Sequence, residues 1–214
     1  MASLLAACGG SSADEGKSFD NGAAGATSGG NGNNGTAAYP AGPYGSEIGS
    51  TVQNLEFLGW QNPAAAGYDP TKFQPIRLSD YYNPDGSKSV KALMINVSAR
   101  WCVVCKGEYA DFRASSRYES LKTKGVEFVG VLFEDANQEP AKPADVQWWA
   151  QTYQVEFPFL IDPGFKMGAY FSADATPLNM VVDTRTMKIT AKVLGYDPSS
   201  SDLWDQVDAV VGAK

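Results

Sequence analysis

Apolar residues run almost unbroken over Ala92-Leu93-Met94-Ile95-Asn96-Val97, and again over Val126-Glu127-Phe128-Val129-Gly130-Val131-Leu132-Phe133. Runs of this kind predict strands buried on both faces, as at the centre of a parallel sheet. Phe159-Leu160-Ile161 predicts a short strand, and Leu178 to Val182 a third long one. Asp183-Thr184-Arg185-Thr186 turns that strand, and Lys188 to Gly195 returns it. Thr51 to Leu58 alternates only weakly, through Val52, Leu55 and Phe57, and predicts an edge strand. Helical spacing predicts a first helix from about Val103 to Lys122, ending at Lys124-Gly125. Pro143 suits the first turn of another, which continues through Trp148 and Trp149 to about Tyr153. Phe165 to Phe171 predicts a short helix. Ser200-Ser201-Asp202 caps a last helix, with Leu203, Val207, Val210 and Val211 on one face and Gly212 behind. Trp60 to Gln74 is broken by Pro63, Gly67 and Pro70 and reads as loop, and Asn83-Pro84-Asp85-Gly86 is a turn. Strands alternating with helices, then a hairpin and a helix, give an α/β fold: a central sheet covered on both faces.

The N-terminal part has no such pattern. Gly9 to about Ala38 is Gly, Ser, Ala and Asn with almost nothing to bury, which predicts a flexible linker. Tyr39-Pro40-Ala41-Gly42-Pro43-Tyr44-Gly45 marks the change to folded sequence. The expected division is a truncated signal remnant over 1–8, a linker over 9–44 and one domain over 45–214. Leu5-Ala6-Ala7-Cys8 looks like a bacterial lipobox, which makes Cys8 the candidate lipidation site. Met1 to Ala7 is too short for a signal peptide and lacks a positive n-region. The alternative is an incidental cysteine in a polar tail.

The chain of 214 residues carries a formal net charge of -7, which gives no basic footprint for nucleic acid. No run of 18 or more apolar residues predicts a membrane-spanning helix. There are three cysteines and no histidine. Two of the cysteines stand in Trp101-Cys102-Val103-Val104-Cys105, where the first buried strand gives way to the first helix. Residues i and i+3 of a helical turn share a face, so Cys102 and Cys105 can close a disulfide with little backbone movement. Cys102 sits at the helix start, where free N–H groups and the positive end of the dipole favour a thiolate. That makes Cys102 the nucleophile and Cys105 the resolving thiol. Haem attachment needs a histidine where Lys106 stands, and a closed structural zinc site lacks ligands. A structural disulfide or an inert thiol pair is the competing reading.

Asn96-Val97-Ser98-Ala99-Arg100-Trp101-Cys102-Val103-Val104-Cys105-Lys106-Gly107-Glu108 resembles the active-site segment of thioredoxin-fold proteins, most closely the TlpA-like and ResA-like membrane-anchored redoxins. Ile76-Arg77-Leu78-Ser79-Asp80-Tyr81, Phe157-Pro158-Phe159-Leu160-Ile161-Asp162-Pro163 and Ala175-Thr176-Pro177-Leu178-Asn179-Met180-Val181-Val182-Asp183 fit the same family. The resemblance implies a thioredoxin-like fold: a central mixed β-sheet flanked by helices, with an extra βα insertion between Cys105 and Pro177 and an N-terminal β extension. It implies that Thr176-Pro177 is a cis peptide facing the cysteines, with Thr176 and Pro177 binding an extended substrate. Trp101 is expected to shield the disulfide and form part of the partner surface, ordinary packing being the alternative.

Three places depart from the archetype. Thioredoxins carry a buried acid six residues before the first cysteine, and Asn96 stands there. Glu108, three residues after Cys105, is a substitute candidate as proton acceptor; solvation, or pairing with a basic side chain, is the alternative. Val103-Val104 replaces the proline many relatives carry before the second cysteine, and Ala110 replaces a helix-kinking proline, so the helix is expected to be straighter.

These features point to a thiol–disulfide oxidoreductase without a cofactor, acting on protein thiols and disulfides. The resemblance adds a lipid anchor at Cys8, a periplasmic setting, outer membrane more than inner, and a membrane electron donor. One alternative is a metallochaperone-type module holding Cu(I) between the two thiolates. Another is a redox-inactive binding domain. A peroxidase would want Thr or Ser three residues before its reactive cysteine, where Ala99 stands.

Overall fold

A computed structural model of the chain describes residues 38–212. The expected signal remnant over 1–8, with Cys8, and residues 9–37 of the linker expected over 9–44 lie outside the described residues. In chain order the elements are β1 (Glu56–Trp60), α1 (Pro63–Ala66), β2 (Gln74–Arg77), β3 (Ala92–Ala99), α2 (Val103–Ala114), α3 (Arg117–Lys122), β4 (Val126–Glu134), α4 (Pro143–Tyr153), β5 (Phe159–Ile161), β6 (Leu178–Asp183), β7 (Lys188–Leu194) and α5 (Asp202–Gly212). The strands form one seven-stranded sheet in the order β2-β1-β5-β4-β3-β6-β7.

The two long apolar runs become β3 and β4, which pair in parallel at the middle of the sheet. Every residue of β3 is buried, as a strand covered on both faces must be. β5 pairs in parallel with β4, and α4 is the crossover between them. This is the extra strand and helix expected between Cys105 and Pro177. β6 runs antiparallel to β3, with Asn96 opposite Asn179, and β7 runs antiparallel to β6. Pro143 opens α4, and the Lys142 amide N–H just before it donates to Asp145 at 2.8 Å.

The N-terminal strand departs from expectation. β1 forms at the end of the weakly alternating stretch, but it lies between β2 and β5 rather than at the edge. The edge is β2, which extends the stretch expected to be loop. It alternates poorly because only Ile76 is buried, and Pro75 within it tolerates an edge position, where a missing N–H matters little. Tyr39, counted with the linker by composition, already packs here. Its hydroxyl donates to the Val52 carbonyl at 2.9 Å, and its ring meets Tyr82 edge to face.

The long helix expected over Val103 to Lys122 is two helices. Ser116 adopts the left-handed conformation between them (φ 48°), and the Ser115 hydroxyl donates to the Asp111 carbonyl at 2.7 Å. A serine that bonds back to the preceding turn competes with the helix ladder, and Ser115-Ser116 ends α2 in that way. Ala110 sits inside an uninterrupted helix, so the break falls after it. The short helix expected over Phe165 to Phe171 is a single 3-10 turn, Lys166–Ala169. The buried Asp162 carboxylate holds it by accepting the amide N–H groups of Lys166 and Met167, both at 2.9 Å.

Candidate active site

Cys102 caps α2. Its φ and ψ of -70° and 112° are extended, and its Sγ accepts the Cys105 amide N–H at 3.0 Å. That is the place an anionic sulfur would occupy, because it meets the first free N–H groups of the helix. Cys102 and Cys105 are joined as a disulfide, with their Cα atoms 5.3 Å apart. Cys102 keeps 4% of its surface exposed and Cys105 none, so an incoming sulfur can reach only the first. The Val103 side chain, 77% exposed, and that of Val104 stand free on the rim.

Thr176-Pro177 is cis and lies against the disulfide. The Thr176 carbonyl oxygen is 3.8 Å from Cys102 Sγ, and its hydroxyl oxygen is 3.8 Å from Cys105 Sγ. The same hydroxyl donates to the Val97 carbonyl at 3.1 Å, tying the loop before β6 to β3. Trp101 is half-buried and packs on the core, and its Nε1 donates to Glu134 Oε2 at 2.6 Å. Beside it, the Arg100 guanidinium pairs with Asp145 at 2.5 Å and lies over the Trp148 ring, 4.2 Å from its centroid. Trp149 is buried and Trp148 is partly exposed.

Glu108 is neither solvated nor paired with a basic side chain. It is fully buried, and both its oxygens accept amide N–H groups: Oε2 from Asn96 Nδ2 and Oε1 from Asn179 Nδ2, each at 2.7 Å. Asn96 Nδ2 also donates to Asn179 Oδ1 at 2.9 Å, and the Ser98 hydroxyl donates to Asn96 Oδ1 at 2.8 Å. The register of β3 against β6 explains the arrangement, because it sets Asn96 and Asn179 side by side on the face that α2 covers. Burial pushes the Glu108 carboxyl up to about 8; the amides of Asn179 and Asn96 pull it back, and the nearby Asp111 charge adds to the rise. Spacing along α2 marked Glu108 as a candidate, and its buried setting comes from β3 and β6. Asn179 was missed as a member of this cluster, although a polar residue inside Leu178-Asn179-Met180-Val181-Val182 was a visible signal. Among the described residues, no group of three or more His, Cys, Asp or Glu side chains could hold a metal ion.

Comparison with known proteins follows the same lines. The chain is 27% identical over 105 residues to the thiol-disulfide oxidoreductase ResA of Bacillus cereus. That match spans 49% of this chain and 56% of the relative, so only about half the length of either is shared. A Chlorobium tepidum structure provisionally assigned as the thiol:disulfide interchange protein DsbE superposes with a TM-score of 0.59 at 18% identity, over 78% of this chain and 99% of that one. A secreted thiol-disulfide isomerase from Corynebacterium glutamicum gives a TM-score of 0.56 at 18% identity, over 76% and 86%. These likenesses establish the expected fold: a thioredoxin-like α/β fold with a mixed sheet flanked by helices. Residues 60–192 match the AhpC/TSA family, a stretch that holds the dithiol, the Thr176-Pro177 peptide and the buried carboxylate together, and the chain belongs to that family.

Proposed function

We propose that this protein is a thiol–disulfide oxidoreductase acting on protein disulfides. The observation that carries this reading is the Cys102–Cys105 disulfide at the start of α2, with Cys102 alone reachable and capping the helix. In the reduced protein, the Cys102 thiolate attacks one sulfur of a partner disulfide. A mixed disulfide forms, and the partner's other sulfur leaves as a thiolate, protonated by solvent. Glu108 then takes the Cys105 proton, directly or through one water. The Cys105 thiolate attacks Cys102 Sγ, the internal disulfide closes, and the partner leaves with both sulfurs reduced. Thr176 and Pro177 hold the partner's extended backbone beside the sulfurs, and Trp101 covers the disulfide and meets the partner. A membrane electron donor returns the two electrons. A lipid on Cys8 places the domain on the periplasmic face of a bacterial membrane.

Peroxide reduction is a competing reading, but Ala99, fully buried, stands where that reaction wants a hydroxyl. Reduced protein is expected to cleave insulin disulfides and to leave hydrogen peroxide unconsumed. The reverse result would sink the proposal.

Glu108→Gln tests the acid. The resolution step is expected to climb with pH towards about 8, as the carboxyl ionises, and to fall about a hundredfold at neutral pH in the variant. Stability gives an independent readout. The folded carboxyl titrates at about 8 against 4.5 in its ordinary state, so the folded protein holds a proton that the unfolded chain releases. This contribution is fully present below about 4.5 and is lost as pH rises to 8. Urea titrations across that window should show a steeper loss in the natural protein than in the variant, which keeps the contributions of Glu127 and Asp162, both raised by burial. A variant with the same slope and the same rate would remove Glu108 from the mechanism.

Anchoring is tested on precursor carrying an intact signal. It should incorporate labelled palmitate, and Cys8→Ser should release the protein to the soluble fraction. Unchanged labelling after the substitution would refute the anchor.

A further inference from the structure

We propose that Asn179 is a positioning residue for the dithiol reaction: its side-chain amide fixes the ionised Glu108 carboxylate one helical turn from Cys105. The inference rests on the proton-accepting role of Glu108.

The hydrogen-bond inventory around the carboxylate is one-sided. Each oxygen meets an amide N–H2 group, a donor at both ends. Such a site suits a carboxylate, which only accepts, better than a carboxylic acid, whose O–H would face another donor. The two asparagines cannot turn over independently to relieve this. Asn96 Nδ2 donates to Asn179 Oδ1, which couples the two amide orientations, and Asn96 Oδ1 accepts the Ser98 hydroxyl. Asn179 Nδ2 also lies 3.5 Å from the Gly195 carbonyl, past the end of β7. Burial thus favours the neutral acid, and the amide pair favours the anion. Asn179 and Asn96 together keep the group ready to change state.

The charged and titratable groups around Glu108 come from few elements. On α2 itself are Asp111, Tyr109 and the two cysteines. β3 contributes Asn96 and Ser98, and β6 contributes Asn179, all uncharged. Beyond β7, the Tyr196 hydroxyl donates to Asp111 Oδ2 at 2.5 Å. A cavity of about 380 Å³ lies between β7 and α5, lined among others by Asn179, Gly195, Tyr196, Asp197, Asp202 and Trp204. Asn179 is the member of the cluster that lines it; Glu108 and Asn96 do not. Asn179 is itself fully buried.

This placement separates two substitutions. Asn179→Leu keeps the branched shape at a larger volume and removes the donor. Asn179→Ala removes the donor but leaves room for water from the cavity to replace it. The probe is reduced protein mixed with 5,5′-dithiobis(2-nitrobenzoate). The first equivalent of coloured thiol reports attack by Cys102, and the second reports resolution by Cys105. Losing a hydrogen bond to an ionised group should move the pH midpoint of the second phase up by about one to two units in Asn179→Leu. Asn179→Ala should move it in the same direction by less, which keeps the test open if the leucine variant does not fold. The first phase should keep its profile in both. In a Glu108→Gln background neither substitution should move the second phase. Midpoints unchanged by both asparagine variants, while Glu108→Gln still abolishes the pH limb, would overturn this inference alone. Shifts that persist in the Glu108→Gln background would also overturn it. If Glu108→Gln leaves the profile intact, the proton-acceptor reading fails and this inference falls with it.

Discussion

Cys105→Ser is expected to accumulate partner proteins joined to Cys102, visible as larger species on non-reducing gels that collapse with reductant, and Cys102→Ser is not. The asymmetry follows from where the two sulfurs lie. Cys102 has the exposed surface of the pair, and its sulfur accepts a helix N–H at the positive end of the dipole. Cys105 is fully enclosed, one turn into α2. With Cys105 replaced by serine, attack on the partner proceeds and nothing in the helix resolves the intermediate. With Cys102 replaced, the remaining thiol can neither reach a partner nor draw on the cap. Insulin reduction should fall to background in Cys102→Ser. Mass spectrometry of the trapped species identifies the partners. Equal or greater trapping by Cys102→Ser would reverse the assignment of the two cysteines.

Tyr109→Ala should lower stability by about 3–5 kcal/mol, the usual cost of deleting a large buried ring. Tyr109 is fully buried and lies one residue past Glu108. Its ring meets Trp149 at 5.2 Å, Phe112 at 5.5 Å, Tyr153 at 5.8 Å, Phe157 at 5.9 Å and Phe159 at 6.0 Å between centroids. These partners come from α2, α4 and the β5 region, so the ring seats the cysteine-bearing helix on the sheet and against the crossover helix. The refilling side chains would have to come from several elements at once, which leaves a cavity instead. Denaturant unfolding at fixed pH measures the loss, and Val103→Ala on the exposed rim, expected within about 0.5 kcal/mol, is the control. A loss below about 1 kcal/mol would show that α2 is held mainly by other contacts.

The order of strands and helices around the dithiol was legible along the chain because its signals are local. β3 and β4 are continuous apolar runs, Pro143 marks the start of α4, and two cysteines three apart at a strand-to-helix junction share one face. The same locality misled at Ser115-Ser116, where one backbone residue in the left-handed region divided a helix that hydrophobic spacing alone would continue. It also misled at β1, whose weak alternation suggests an edge. Its place in the interior depends on β2, a strand with one buried residue that forms only because β1 is there to pair with it. The site divides in the same way. Cys102, Cys105, Trp101, the Thr176-Pro177 peptide and Glu108 were all visible in the amino-acid order. The setting of Glu108 was not, because it depends on the register that puts Asn96 opposite Asn179, residues far apart in the chain. Local spacing determines which side chains share a turn. Only the pairing of distant strands decides which polar groups meet in the core, and there an unmatched donor or charge is costly enough to set the chemistry of its neighbours.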